Sequence, residues 1–313
     1  MNILFDFALV GISIIMLWKG ADWLVDSAAE IAHTFKVSDL IIGLTVVAFG
    51  TSAPEFAVTI SAAITKQTDI SIGNVIGSNI FNLGFILGGT AMIRPITTNK
   101  KMFNRDGLFL LIVTALIFFF FFGFNGWTPD DSFTKYEGMA LFSLLIGYIT
   151  FLFIKKDPPE EINPDNANYK SYIYFFIGLS SIVYGGHLMV HHASNLARYY
   201  GISDWVIAVT IVAAGTSAPE FATSIAAALK GRHGIAIGNL IGSDLFNLLG
   251  VLGLAGIINP TIIAKDIFDS VFLLVLMVGL TLLLIRTNWK ISRLEGTLLV
   301  SINLIRWYFD FAN

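Results

Sequence analysis

The sequence contains no cysteine among its 313 residues. A disulfide framework, a thiol nucleophile and a cysteine-ligated metal site are therefore excluded. Charge is scarce as well. Asp, Glu, Lys and Arg make up 13% of the chain, against about a quarter in ordinary soluble domains. A soluble chain with so few charges could not cover its own surface. The net charge of −3 is too small to mark a nucleic-acid or polyanion partner. The N-terminus shows neither a basic start nor a small-residue cleavage site, so no cleaved signal peptide is read there. There is no HExxH, no paired catalytic aspartates and no Ser/His or Ser/Lys arrangement that stands out. An intramembrane enzyme finds no support, and no catalytic residue or resident cofactor is expected.

Apolar residues are what the chain has in excess: 55% of its composition, with a mean hydropathy of +0.75. A membrane-spanning helix needs about 20 mostly apolar residues. Ten such segments can be placed, at about 3–33, 39–65, 71–93, 106–124, 135–154, 170–199, 204–230, 235–258, 267–286 and 291–311. The expected fold class is an all-α polytopic membrane protein with ten transmembrane helices. The one long polar stretch, KKDPPEEINPDNANYK, is rich in Pro, Asp, Glu and Asn and reads as a flexible linker. The organisation is thus a first five-helix half over 1–154, a linker over 155–169 and a second half over 170–313.

Orientation follows from the Lys and Arg residues of the short loops. Thirteen lie after the odd-numbered segments, among them Arg94, Lys100, Lys101, Arg105, Lys155 and Lys156. Four lie after the even-numbered ones: Lys66, Lys135, Arg198 and Lys265. The first set is expected on the cytoplasmic side, which puts both termini outside the cell membrane.

The chain repeats itself at an offset of 165 residues. Residues 43–88 align without a gap onto 208–253, with 26 identities in 46 positions. The cores are GTSAPEFA, at 50–57 and 215–222, and GNVIGSNIFNL at 73–83 against GNLIGSDLFNL at 238–248. The two copies lie five segments apart, so they cross the membrane in opposite directions. That is the inverted-repeat pattern of secondary transporters, whose sites lie at the repeat interface near the midplane.

Glu55 and Glu220 sit halfway along the second and seventh segments. A carboxylate at that depth costs at least about 2.5 kcal/mol and is expected to face a cavity or a partner. A structural glutamate satisfied by a neighbouring helix is the plain alternative. Against it stands the recurrence of the acid with the same polar neighbours. Pro54 and Pro219 lack an N–H and clash with the carbonyl four residues back, so each helix is expected to break. The carbonyls over Ala48–Thr51 and Ala213–Thr216 then need another partner, either a cation or a nearby hydroxyl. Asn74, Ser78 and Asn82 share one face of the third segment, as Asn239, Ser243 and Asn247 do in the eighth. Interhelical hydrogen bonding could use the same asparagines. Gly73 with Gly77, and Gly238 with Gly242, are spaced to let backbones approach closely. Carboxylate, amide, hydroxyl and carbonyl oxygens together suit hard cations such as Ca²⁺ or Na⁺. Two glutamates would neutralise one Ca²⁺.

At these residues the sequence resembles the sodium/calcium exchanger family of cation/Ca²⁺ antiporters, whose α-repeats carry the paired GTSAPE and GNxIGSxxFN motifs. The resemblance implies a core of the second, third, seventh and eighth helices, and alternating access with the first and sixth helices sliding past the rest. It implies Na⁺ entry driving Ca²⁺ export by a monomer in the lipid bilayer. It further implies ligands at Thr51, Ser52, Glu55, Ser78 and Asn82, and at Thr216, Ser217, Glu220, Ser243 and Asn247, joined by the backbone carbonyls of Ala48 and Ala213. Some relatives carry Asp where this chain has Asn247, and its absence weakens the case for K⁺ cotransport. Proton-coupled relatives carry an acid inside the GN-containing motif; GNVIGS and GNLIGS hold none, which lowers but does not remove H⁺ coupling, and H⁺/Ca²⁺ or K⁺-dependent exchange stays the alternative within transport. Asp244, opposite Asn79 in the repeat, is expected to flank the site. His187, His191 and His192 are expected to have an interfacial structural role, and the phenylalanine run 118–122 to face lipid. A passive cation channel is the rival reading of a different class.

Overall fold

The computed structural model describes residues 3–123, 132–157, 167–202, 207, 211, 213–263 and 267–312, and helices hold nearly all of them. In chain order they are α1 Ile3–Thr34, α2 Asp39–Thr51, α3 Ala53–Ile64, α4 Thr68–Ile93, α5 Lys100–Phe122, α6 Lys135–Lys155 and α7 Tyr169–Tyr199. Then come α8 Ala213–Thr216, α9 Ala218–Leu229, α10 His233–Ile258, α11 Ile267–Asn288 and α12 Arg293–Ala312. Seven helices are long and apolar enough to cross a membrane, and α2 with α3, bent by 52°, brings the number to eight. The protein is a multi-span membrane protein. The two remaining expected spans are not among these. The seventh segment begins in residues that lie mostly outside the described set. The tenth, α12, has the length, but Arg293, Glu295, Arg306 and Asp310 dilute its apolar run. Most of the 155–169 linker also lies outside the described residues.

Contacts divide the chain into two compact units. One holds Met1–Pro54 and Lys156–Asn239, the other Glu55–Lys155 and Leu240–Asn313. Neither unit is a sequence half, because each draws helices from both repeats.

In the first unit, α1 and α7 pack backbone to backbone. A methyl added to Gly20 would lie 2.9 Å from the Gly178 carbonyl, and one added to Gly178 would lie 2.7 Å from that of Gly20. Buried Asp6 accepts a 2.7 Å bond from His192 Nδ1 and a 3.3 Å bond from Asn195 Nδ2. Lys230 pairs with Asp22 and Asp26. His192 thus joins two helices, as a structural histidine would. Gly238 also packs tightly, since a methyl there would come within 2.7 Å of the Leu40 carbonyl. The expected close approach therefore holds at Gly238; residues 205–209, which the repeat would set against its counterpart Gly73, lie mostly outside the described residues.

In the second unit, two short antiparallel ladders clip the loops, Ile96–Thr97 with Lys290–Ile291 and Ser132–Phe133 with Thr261–Ile262. The phenylalanine run does not face lipid as a block. Helical periodicity turns Phe121 and Phe122 inward against Phe133 and Phe268, and leaves Phe119 exposed.

The repeat also shows in the helix ends. Lys36 and Lys66 have φ of 55° and 58°, and their counterparts at +165 are Gly201 and Gly231, with φ of 81° and 75°. The closing bonds match: Lys66 N to Ala63 O and Gln67 N to Ala62 O recur as Gly231 N to Ala228 O and Arg232 N to Ala227 O. Glycine fits this left-handed position, whereas lysine is strained there. Lys66→Gly is therefore expected to raise stability by about 0.5–1 kcal/mol, read as a higher thermal midpoint in detergent.

Candidate functional site

Both glutamates follow a helix break of the same form. Ser52 ends α2 with φ −80° and ψ 10°, and Ser217 precedes α9 with φ −90° and ψ 10°. Each break is followed by Ala-Pro-Glu, which places the glutamate in the first turn of a new helix. Pro54 and Pro219 fit that turn because its N–H groups have no intrahelical acceptor. Negative charge in a first turn is also favoured by the helix dipole. Glu55 and Glu220 are each 1% exposed.

In the first unit, Ser52 Oγ donates to Glu220 Oε1 at 2.9 Å. A hydroxyl of the first repeat thus holds the carboxylate of the second. The Thr51 hydroxyl lies 3.0 Å from Asn239 Oδ1 and 3.2 Å from the Ala48 carbonyl. That carbonyl also accepts from Ser52 N at 3.0 Å, so the oxygen expected to be freed at Ala48 is engaged within its own turn. Asn239 Nδ2 donates to the Glu220 carbonyl at 3.3 Å and to Ser224 Oγ at 3.1 Å. Ser217 is buried and Thr216 half-buried. Ala213 opens the short helix α8.

In the second unit, Asn74 repeats the Asn239 arrangement. Its Nδ2 donates to the Glu55 carbonyl at 3.3 Å and to Thr59 Oγ1 at 2.9 Å. Both asparagines therefore brace the glutamate-bearing turn. Thr59 and Ser224, which receive these bonds, were not legible as site residues. Their signal is the recurrence of a hydroxyl four residues after each glutamate. Ser78, Asn82, Ser243 and Asn247 are all buried. The helices widen into π-helical turns at Asn82–Leu87 and Phe246–Val251, a distortion frequent at functional sites. Next to the first of these turns, Asn303 Nδ2 donates to the Ile80 carbonyl at 2.9 Å. Asp244 does more than flank the cluster: it is fully buried and its Oδ1 accepts from Asn82 Nδ2 at 3.0 Å. One hundred degrees of rotation from Ser243 points it at the neighbouring helix, whose amide it meets.

The bonds described at the two glutamates thus come from a serine hydroxyl and asparagine amides, with no imidazole among them. Carboxylate, hydroxyl and amide side chains of this kind handle hard cations through their oxygens. Similar proteins carry names of that kind. The profile described as sodium/calcium exchanger protein matches residues 5–154 and 170–310. The sodium/calcium exchanger MaX1 of Methanosarcina acetivorans is 33% identical, over 94% of this chain and 95% of its own length. The putative antiporter CaxA of Alkalimonas amylolytica is 36% identical over 98% of each chain. Among solved structures, one of the sodium-calcium exchanger NCX_Mj matches with a TM-score of 0.85 at 33% identity, covering 98% of this chain and 99% of that one. With a profile that spans both repeats and relatives matched over nearly their whole length, the chain belongs to the sodium/calcium exchanger protein family.

Proposed function

We propose that the protein is a secondary antiporter that exchanges Na⁺ for Ca²⁺ across the cell membrane by alternating access. One observation carries the reading: two repeat-equivalent glutamates, both buried, each opening a helix after a proline-bearing break. A buried carboxylate in a membrane protein is costly unless it is paired or meets a cation. Two of them neutralise one Ca²⁺, and the same oxygens divided among several Na⁺ serve the return. Competition for one ligand set is sufficient for antiport.

The ligands proposed are Thr51, Ser52, Glu55, Ser78, Asn82, Thr216, Ser217, Glu220, Ser243 and Asn247, with the carbonyls of Ala48 and Ala213. The Ala48 carbonyl already accepts from Ser52 N and lies 3.2 Å from the Thr51 hydroxyl, and an ion would have to displace that hydroxyl. The proposed topology is ten helices in two inverted five-helix repeats, with the termini outside and the 155–169 linker in the cytoplasm. The working unit is a monomer without nucleic-acid or protein partners.

The test is uptake by the reconstituted protein in Na⁺-loaded vesicles. Ca²⁺ should enter when external Na⁺ is diluted and stop when the Na⁺ gradient is removed. Uptake that follows a pH gradient instead would mean H⁺ exchange, and uptake without any counter-ion would mean a channel. Either result overturns the Na⁺ reading.

A further inference from the structure

Positions 79 and 244 are equivalent under the 165-residue offset, yet one is Asn and the other Asp. Neither belongs to the ligand set above. Both are fully buried in the second unit. Each is bonded to the proposed ligand of the opposite repeat. Asn82 Nδ2 donates to Asp244 Oδ1 at 3.0 Å, and Asn247 Nδ2 donates to Asn79 Oδ1 at 3.3 Å. Asn79 Nδ2 closes the cluster by donating to the Asp244 carbonyl at 3.4 Å.

An amide has one oxygen and one NH₂ group, so tying down the NH₂ fixes where the oxygen points. The Oδ1 atoms of Asn82 and Asn247 are both buried and accept no hydrogen bond. Buried polar atoms nearly always have a partner. Two repeat-equivalent carbonyl oxygens without a donor are what a pair of cation ligands looks like with its NH₂ groups held from behind.

We propose that Asn79 and Asp244 are positioning residues that set the cation preference of the exchange. Each presents the opposite repeat's asparagine oxygen to the ion. The Asp244 carboxylate, unlike the Asn79 amide, also adds negative charge behind one of the two oxygens. That attraction is twice as strong for a divalent as for a monovalent ion at the same distance. The asymmetry of the repeat at 79/244 therefore favours Ca²⁺ over Na⁺. The inference rests on the ion-exchange reading above.

The experiment compares full-length Asp244→Asn, Asn79→Asp and the double swap with the parent protein, in vesicle uptake and in calorimetric Ca²⁺ titration of purified protein. Asp244→Asn should raise the Ca²⁺ concentration for half-maximal uptake about tenfold, since a bond to a charged acceptor becomes a neutral one. Maximal rate should stay within about twofold, because Asn can still accept the Asn82 bond. Asn79→Asp should shift the half-maximal concentration in the opposite direction, and the double swap should return it toward the parent value. A purely structural role predicts that all three variants lose affinity and rate together, and that result would overturn the proposal. Should Asp244→Asn fail to fold, the direction of the Asn79→Asp shift decides. A parent protein that takes up no Ca²⁺ on a Na⁺ gradient defeats the exchange reading instead. The titration would then still report whether the order of Ca²⁺ affinities holds.

Discussion

Glu220→Gln is expected to abolish exchange while leaving the protein folded, and Glu55→Gln to do the same. Removing one partner of a buried charged interaction costs about 3–5 kcal/mol, which is roughly two to four decades in affinity. Ca²⁺ uptake at micromolar concentration should fall below detection in either variant. Folding should survive because glutamine has the same shape and its oxygen can still accept the Ser52 hydroxyl. An amide is also less costly than a carboxylate to hold inside a bilayer. Thermal unfolding in detergent should give an unchanged or higher midpoint, with Ca²⁺ no longer raising it as it does in the parent. A variant that transports at the parent rate would remove that glutamate from the site.

The second large effect concerns the braces. Asn239 and Asn74 are equivalent in sequence, and their replacement by alanine should nonetheless differ. Asn239 is fully buried and engages the Thr51 hydroxyl, the Glu220 carbonyl and the Ser224 hydroxyl. Asn74 is half-buried and engages only the Glu55 carbonyl and the Thr59 hydroxyl among the bonds described. Each buried partner deprived of its bond costs about 1–3 kcal/mol. Asn239→Ala should therefore lose about 3–6 kcal/mol, a large share of the 5–15 kcal/mol typical of a whole domain. Asn74→Ala, with two partners instead of three and a half-buried side chain, should lose no more than about two-thirds of that. Equal losses in chemical unfolding, measured side by side, would contradict this ranking.

Much of this was legible in the sequence, and particular residues show why. The glutamates stood out because a charge inside an apolar run is expensive, and its recurrence at one offset is hard to produce by accident. The breaks at Ser52 and Ser217 followed from Pro54 and Pro219, since proline's missing N–H is a local property. What needed the third dimension was the direction of bonds between segments. Nothing in the spacing says that Ser52 reaches Glu220 rather than Glu55, or that Asp244 meets Asn82. The Ala48 carbonyl was expected to be open because the helix breaks after it. The break leaves that carbonyl within reach of its own turn's Ser52 N and Thr51 hydroxyl. Composition alone does not divide Phe118–Phe122; helical periodicity sorts it into a buried and an exposed part.

The bond from Ser52 to Glu220 spans 168 residues of chain, and that from Thr51 to Asn239 spans 188. A ribosome adds about 5–20 residues per second, so roughly ten to forty seconds separate the appearance of the donors from that of their acceptors. Throughout that interval the Ser52 hydroxyl is without the carboxylate it meets in the folded protein, and the bonds that join the two repeats in this unit form only after the second repeat has been made.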